Sequence, residues 1–480
     1  MGWVLWAGMV VSLAAAAPPT AMPVEAGNAL TLPAHRHLVR VERGNGRGAV
    51  LLLAVQRGGS QGRALGMYRS EDGGRSWRYE GPIQEHARQD RADLVAVGRD
   101  VALVYSVETP DGEGIGGSPS RDVVFQWWRY QTSTDRWVAS KTLKVFDSRS
   151  SSTAYYRAEL ARDSRGRLWV QAFRRERDGK ATLVIAVSTD GGSTFREMPA
   201  LDRDLSKRGG GRLLHLGGKL VMVYGSHSGG MPARFRVRDD GAPLSSWSPV
   251  RTAFPEGIYH GAALSAVADG RGGMHLVYKD NSERLLYRHF DGRRFGAAKV
   301  VHEHGDWAMQ PAITRVGGTL HIFYNRPHRD GRGYDLVVRR LSGGSLGAVH
   351  ALASINGFAG YPAAAPVLPS GARVPCLFGL EPRSGSERLV VVFSPSGRKA
   401  TESGEEVAAA ATGPDDEGAV AVDLDATEVL EGAAESLRSA VASAPEEAAG
   451  GCGGGQGLAV LLGLPLLALE RHRRKWVSRR

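Results

Sequence analysis

Cysteine is nearly absent. Cys376 and Cys452 are the only two in 480 residues, which excludes a disulfide scaffold and any zinc module built on thiolates. Helix-period patterns are almost missing before residue 400, and the one stretch that reads as a helix is 427–441. The 63 glycines show no three-residue period, so a collagen is excluded. About 13 % glycine against a usual value of roughly 7 % instead implies many tight turns. No Ser-His-Asp elbow stands out. Gly112-Glu113-Gly114-Ile115-Gly116 follows a strand pattern but opens no helix, so it is a loop and not a phosphate cradle. His302-Glu303-His304 read as exposed polar residues, and neither a metal nor a cofactor is expected.

Apolar residues make up 42 % of the chain and charged residues 23 %, enough for a large core and against wholesale disorder. The net charge of +11 is unevenly placed. Residues 400–452 hold thirteen acids and one base, and the tail from Glu470 holds six bases and one acid. The first 399 residues therefore carry +18. Such a body suits an acidic partner (a sialylated or uronic glycan, an anionic membrane or a nucleic acid) or reflects plain solubility charge.

The two ends describe an export route. Residues 1–17 contain no charged side chain and run from Trp3-Val4-Leu5-Trp6 into four alanines. That pattern predicts a signal peptide over 1–26, cut between Ala15 and Ala26. Export argues against nucleic acid as a partner. Near the other end an acidic Ala/Gly/Glu-rich spacer, 397–450, is expected to be disordered. It leads into Gly450-Gly451-Cys452-Gly453, a short apolar run and Arg471-His472-Arg473-Arg474-Lys475. Thirteen apolar residues barely cross a hydrocarbon core of about 30 Å, and the basic end would hold the cytoplasmic side. This order resembles the C-terminal sorting signals of myxobacterial surface proteins. The resemblance implies that 451–480 form a Gly-Cys motif, a short transmembrane helix and a basic tail. It also makes Cys452 the processing point of a sorting protease, with the body anchored at the surface or outer membrane of a Gram-negative cell. A simple tail anchor is the alternative.

Between the ends lies a repeat. An apolar strand, a Gly turn and a second strand ending in an aromatic recur: Leu94-Val95-Ala96-Val97-Gly98 leads into 101–105, Leu216-Gly217-Gly218 into 220–224, Asp269-Gly270 into 274–278 and Val316-Gly317-Gly318 into 320–324. Weaker copies sit near 50–55, 168–173 and 374–378. Seven units spaced by roughly fifty residues, each with four short antiparallel strands, is the arithmetic of a β-propeller. The expected fold is all-β, a propeller of six or seven four-stranded blades over 27–396, with seven favoured.

A second repeat marks turns. Ser70-Glu71-Asp72-Gly73-Gly74-Arg75-Ser76-Trp77 returns as Ser188-Thr189-Asp190-Gly191-Gly192-Ser193-Thr194-Phe195. The Asp accepts turn N–H groups, glycine supplies positive φ, and the aromatic folds back into the core. These resemble the Asp-box of bacterial neuraminidase repeats. In that family the box is scaffold on outer turns, so Ser70, Asp72, Gly74, Trp77, Ser188, Asp190, Gly192 and Phe195 are expected to be structural.

Function is expected where the innermost strands enter the channel. Arg91-Ala92-Asp93-Leu94 and Arg157-Ala158-Glu159-Leu160 fall at the same point of successive units, so each would present a guanidinium and a carboxylate on one face. They read as a carboxylate clamp or, equally, as interblade salt bridges. Resemblance to sialidases implies Arg91, Arg157 and Arg212 as the clamp and Asp90 or Asp93 as the acid. It also implies Tyr361 with Glu159 as the nucleophile pair. The family's N-terminal Phe/Tyr-Arg-Ile-Pro motif is absent; His35-Arg36-His37-Leu38 stands there. Two other readings remain. One is a polysaccharide lyase using Tyr259 and His260 beside Tyr156-Arg157. The other is a non-catalytic surface lectin or adhesin. All three are expected to act as a monomer on acidic glycans or glycoconjugates, the adhesin alternatively on a protein.

Overall fold

The computed structural model describes residues 20–25, 30 and 33–395, except 58–63, 85–91, 109–120, 149–153, 177–178, 207–208, 226–230, 262, 304–309, 329–330 and 382–387. All of them belong to one compact unit, Met1–Lys399. The spacer, Cys452 and the apolar run before the basic tail lie outside the described residues. Among the described residues no helix is long and apolar enough to cross a membrane.

Strands follow one another as antiparallel meanders. Leu38–Gly44, Arg47–Arg57, Ala64–Ser70 and Arg78–Gln84 form the first. The second runs Asp93–Val97, Asp100–Glu108 and Arg121–Gln131, and both Arg136–Ala139 and Leu143–Phe146 pair with its third strand. Ala154–Arg162, Leu168–Arg175, Lys180–Ser188 and Arg196–Ser206 make the third, joined to the second by the pair Ala154 and Arg121. Gly210–His215, Lys219–Gly225, Ala233–Asp239 and Arg251–Phe254 make the fourth. The fifth is Leu264–Ala268, Met274–Lys279, Leu285–Phe290 and Lys299–His302. Pro311–Val316, Thr319–Pro327, Gly333–Ser342 and Ser345–Asn356 make the sixth. In the last sheet Phe358–Ala363, Val374–Glu381 and Arg388–Ser394 are completed by the N-terminal strand Thr20–Glu25. The one helical element among these residues is the 3-10 turn Tyr259–Gly261.

Each meander buries both faces, which is why its middle strands read as continuous apolar runs and not as alternation. Leu51, Leu52, Leu53, Ala54 and Val55 are all buried in succession. Apolar clusters lie between consecutive meanders. Val50 and Leu52 pack with Leu94 and Trp128, and Val104 and Phe125 with Leu160 and Val184. The circle closes where Leu38, Leu51 and Leu53 of the first meander pack with Cys376 and Val390 of the last. Meanders in sequence order, packed face to face and closed by strands from opposite chain regions, define a β-propeller.

One boundary differs from the sequence expectation. Thr20–Glu25, assigned above to the signal peptide, pairs with Arg388–Ser394 and buries Met22. Thr20-Ala21-Met22-Pro23-Val24-Glu25, just after Pro18-Pro19, resembles a leader's end as closely as an edge strand.

Candidate functional site

The first strand of every meander is innermost. Its beginning defines the upper end of the ring, and its turn into the second strand the lower end. At the upper end four meanders converge on one carboxylate. Asp93 Oδ1 accepts the Arg36 backbone N–H at 2.7 Å and Arg212 Nη1 at 2.8 Å. Asp93 Oδ2 accepts Arg36 Nη2 at 2.6 Å and the Leu160 N–H at 2.8 Å. Arg36 Nη2 also donates to Leu160 O, and Arg212 Nη1 to Ala34 O. Glu159 accepts the Leu213 N–H at 2.7 Å and lies 3.9 Å from Arg212 Nη1. Asp93, Glu159 and Arg212 are all buried.

The two carboxylates titrate in opposite directions. Burial raises Asp93, but the guanidiniums of Arg212 and Arg36 outweigh it and hold Asp93 well below the carboxylate range. Glu159 is pushed up to about 8, chiefly by burial and further by the Asp93 charge, against a weaker pull from Arg212. Asp93 is therefore a permanent anion that cannot serve as an acid holding its proton, and Glu159 is neutral at pH 7.

Three residues assigned from the sequence, Asp93, Glu159 and Arg212, lie inside this network. Arg212 Nη1 is engaged by Asp93 and Ala34 O, while its buried Nε and Nη2 have no hydrogen-bond partner among the described residues. Glu159 is held by Leu213 and Arg212. Of the two readings of the Arg–carboxylate pattern, the structure realises interblade ion pairing for Asp93, Glu159 and Arg212. Arg36, which stands where the sialidase motif is missing, supplies the second guanidinium. Its partner lies 57 residues away, so nothing local in the sequence announces it.

Further aromatic and cationic side chains occur on and beside the inner strands. Arg157 is half-buried at a bulge between Tyr156 and Glu159, with φ of 55°. A non-glycine residue in that region is strained and persists only where surrounding contacts dictate it. Its Nη1 donates to Gly209 O, at the start of the fourth meander, and its guanidinium lies 5.8 Å from the half-buried Tyr156 ring. In the fifth meander the buried Lys279 ammonium lies 4.7 Å from the Tyr259 ring. Tyr361 is half-buried on the first strand of the last sheet. Asp90, Arg91 and the His260 side chain lie outside the described residues.

The two Ser-x-Asp turns lie at the lower end and share one geometry. Ser70 Oγ bridges Asp72 Oδ1 and the Gly74 N–H, and Asp72 Oδ1 accepts the Arg75 and Ser76 N–H groups at 2.9 Å. Ser188, Asp190, Gly192, Ser193 and Thr194 repeat these bonds. Burial raises Asp72, but the Ser76 hydroxyl and the turn N–H groups prevail and hold it at about 2. Trp77 Nε1 caps Gly74 O at 3.0 Å, and Phe195 packs on Phe125 of the second meander. Seven of the eight bond within their own turns, and Phe195 packs across on Phe125.

A further device escaped the sequence reading. Tyr224, ending the second strand of the fourth meander, donates to Asp202 of the third at 2.7 Å, and Arg234 donates to the same oxygen at 2.9 Å. One meander on, Tyr278 donates to Glu256, which Arg288 Nη2 grips at 2.6 Å. Burial and the adjoining carboxylate push both phenols upward. These are latches between meanders, and the recurring terminal tyrosine was their only visible signal.

No known family profile matches the chain, and no curated protein matches it. Solved structures do. Trypanosoma rangeli sialidase in complex with the inhibitor DANA matches at 14 % identity and TM-score 0.43, over 64 % of this chain and 55 % of that one. The Hadza microbial sialidase Hz136 matches at 13 % identity and TM-score 0.43, over 60 % and 63 %. The chain thus spans little more than half of these sialidases' length. An ulvan lyase, a polysaccharide lyase bound to -[GlcA(1-4)Rha3S]-, matches at 10 % identity and TM-score 0.50, over 78 % of this chain and 96 % of that one. At such identity the likeness concerns the fold.

Proposed function

We propose that the protein is a seven-bladed, sialidase-like propeller, one blade per meander, that binds carboxylate-bearing sugars at its upper end. Arg157 carries this reading. It is a guanidinium held in a left-handed backbone conformation beside Tyr156, near an ion network that joins Arg36 and Arg212 to Asp93. A planar guanidinium beside an aromatic ring suits a sugar carboxylate and the apolar face of the same ring. The two Ser-x-Asp turns, read as Asp-boxes, support the sialidase-like class. Hydrolysis with Asp93 as the acid is disfavoured, because Asp93 is a paired anion. The signal-like and sorting-like ends support export and surface display.

The test is equilibrium binding of sialyllactose and polygalacturonate to the full chain, with release of sialic acid from a fluorogenic sialoside measured alongside. Binding that falls at least tenfold in Arg157→Ala, with no turnover, is the expected result. Absence of binding to any acidic sugar would contradict the proposal, and turnover would move it to a hydrolase with other catalytic groups. A lyase is the second reading, favoured by the Lys279 ammonium beside the Tyr259 ring. It requires the appearance of a 4,5-unsaturated uronate.

A further inference from the structure

The turns joining first to second strands lie together at the lower end. A Cβ on Gly44, in the first turn, would meet Arg99 Cδ of the second at 3.5 Å. Ser164 of the third and His215, beside the fourth, both bond Asp240. A Cβ on Gly217 of the fourth would lie 2.9 Å from Gly272 Cα of the fifth. Arg315 Nε, at the sixth, donates to Ala268 O at the fifth at 3.1 Å. A Cβ on Gly317 of the sixth would meet Ser370 Oγ of the seventh at 2.8 Å.

Each of these seven turns carries a base. Arg47, Arg99, Arg165, Arg271 and Arg373 are exposed. Lys219 and Arg315 are half-buried. The acids of the same turns are engaged internally. Asp163 Oδ1 accepts the Arg165 and Arg167 N–H groups, Asp269 Oδ1 those of Arg271 and Gly273, and Asp100 pairs with Arg129 at 2.7 Å. Among the described residues no carboxylate pairs with Arg99, Arg165, Arg271 or Arg373. The third-to-fourth-strand turns, farther from the axis at the same end, are richer in acids, with Glu71, Asp72, Asp135, Asp190, Asp239, Asp240 and Asp291, and Asp135 pairs with Arg47 of the inner circle at 3.2 Å. Solubility charge would not sort itself between two concentric circles in this way.

We propose that this inner circle of bases docks the propeller onto a membrane surface bearing anionic phospholipid headgroups. Six of the seven turns offer arginine, whose fork matches phosphate oxygens. A planar field of headgroups meets all seven turns together, whereas a single polymer chain crossing the ring meets only part of it. Docking at the lower end leaves the proposed sugar site at the upper end facing outward.

The test compares the full chain with two triple variants of equal charge change. One removes ring bases (R99S, R165S and R271S). The other removes exposed bases of the outer strands (R196S, R203S and K299S). Thermal unfolding of both checks that they fold. Co-sedimentation is measured with vesicles of phosphatidylcholine alone and of phosphatidylcholine mixed with phosphatidylglycerol, so that any contribution of the C-terminal apolar run cancels in the ratio. The preference for anionic vesicles should fall roughly tenfold or more in the ring variant, since each base near such a surface counts for about a factor of five, and should persist in the control. A wild-type chain without that preference would overturn the proposal, as would an equal loss in both variants. Retained vesicle binding with lost binding of soluble polygalacturonate would replace the membrane by a polymer.

Discussion

Asp93 and Glu159 occupy equivalent positions on neighbouring inner strands, yet one is locked as an anion and the other keeps its proton. The difference lies in what reaches them: two guanidiniums for Asp93, a single peptide N–H and a more distant guanidinium for Glu159. Removing the Asp93 charge strands the buried Arg212 and the half-buried Arg36, so Asp93→Asn should cost about 3–5 kcal/mol in urea unfolding. Glu159 has its own pH signature. Its folded value near 8 exceeds the unfolded value near 4.5. Its stabilising contribution is therefore fully present below about 4.5 and is lost as pH rises through 8. Glu159→Gln should remove that decline while changing stability little at acidic pH, as urea midpoints across pH 4–9 would reveal. Asp93 behaves inversely, its contribution being present above about 3.9 and lost only as pH falls toward its depressed folded value.

Among the elements, the turns were legible and the latches were not. Ser188, Asp190 and Gly192 bond within seven residues, so their chemistry is written in adjacent letters. Gly192 has φ of 90°, and a Cβ there would meet Phe125 Cε1 at 2.6 Å. Gly192→Ala should therefore destabilise by more than about 1 kcal/mol, read as a lower unfolding midpoint. Tyr278 finds Glu256 on the preceding meander, past a turn and a strand end whose register no local pattern sets. Tyr278→Phe should cost about 1.5–3 kcal/mol, because it deletes a buried hydrogen bond to a charged group. The inner-strand alignment of Ala92 with Ala158 and Leu94 with Leu160 was readable from spacing, and both pairs are buried. Spacing could not reveal that the intervening carboxylates serve Arg36 and Arg212, since burial and partner identity arise only when four meanders close on one another.

For the molecule as a whole, closure depends on Thr20–Glu25 joining Arg388–Ser394. A chain starting at residue 27 should unfold at lower temperature than one starting at residue 18, and should self-associate in sedimentation through its bared strand edge. The ring of meanders was visible as a repeat, but its closure was not, because the closing strand looks like part of a leader. Within that ring the buried ion network of Asp93 is structural, and Arg157 is the proposed ligand-binding guanidinium. The most direct test of these roles is calorimetric titration of polygalacturonate into the full chain and into Arg157→Ala, with thermal unfolding of both. The account predicts lost sugar binding at an unchanged unfolding temperature. Sugar binding that survives in Arg157→Ala would contradict it.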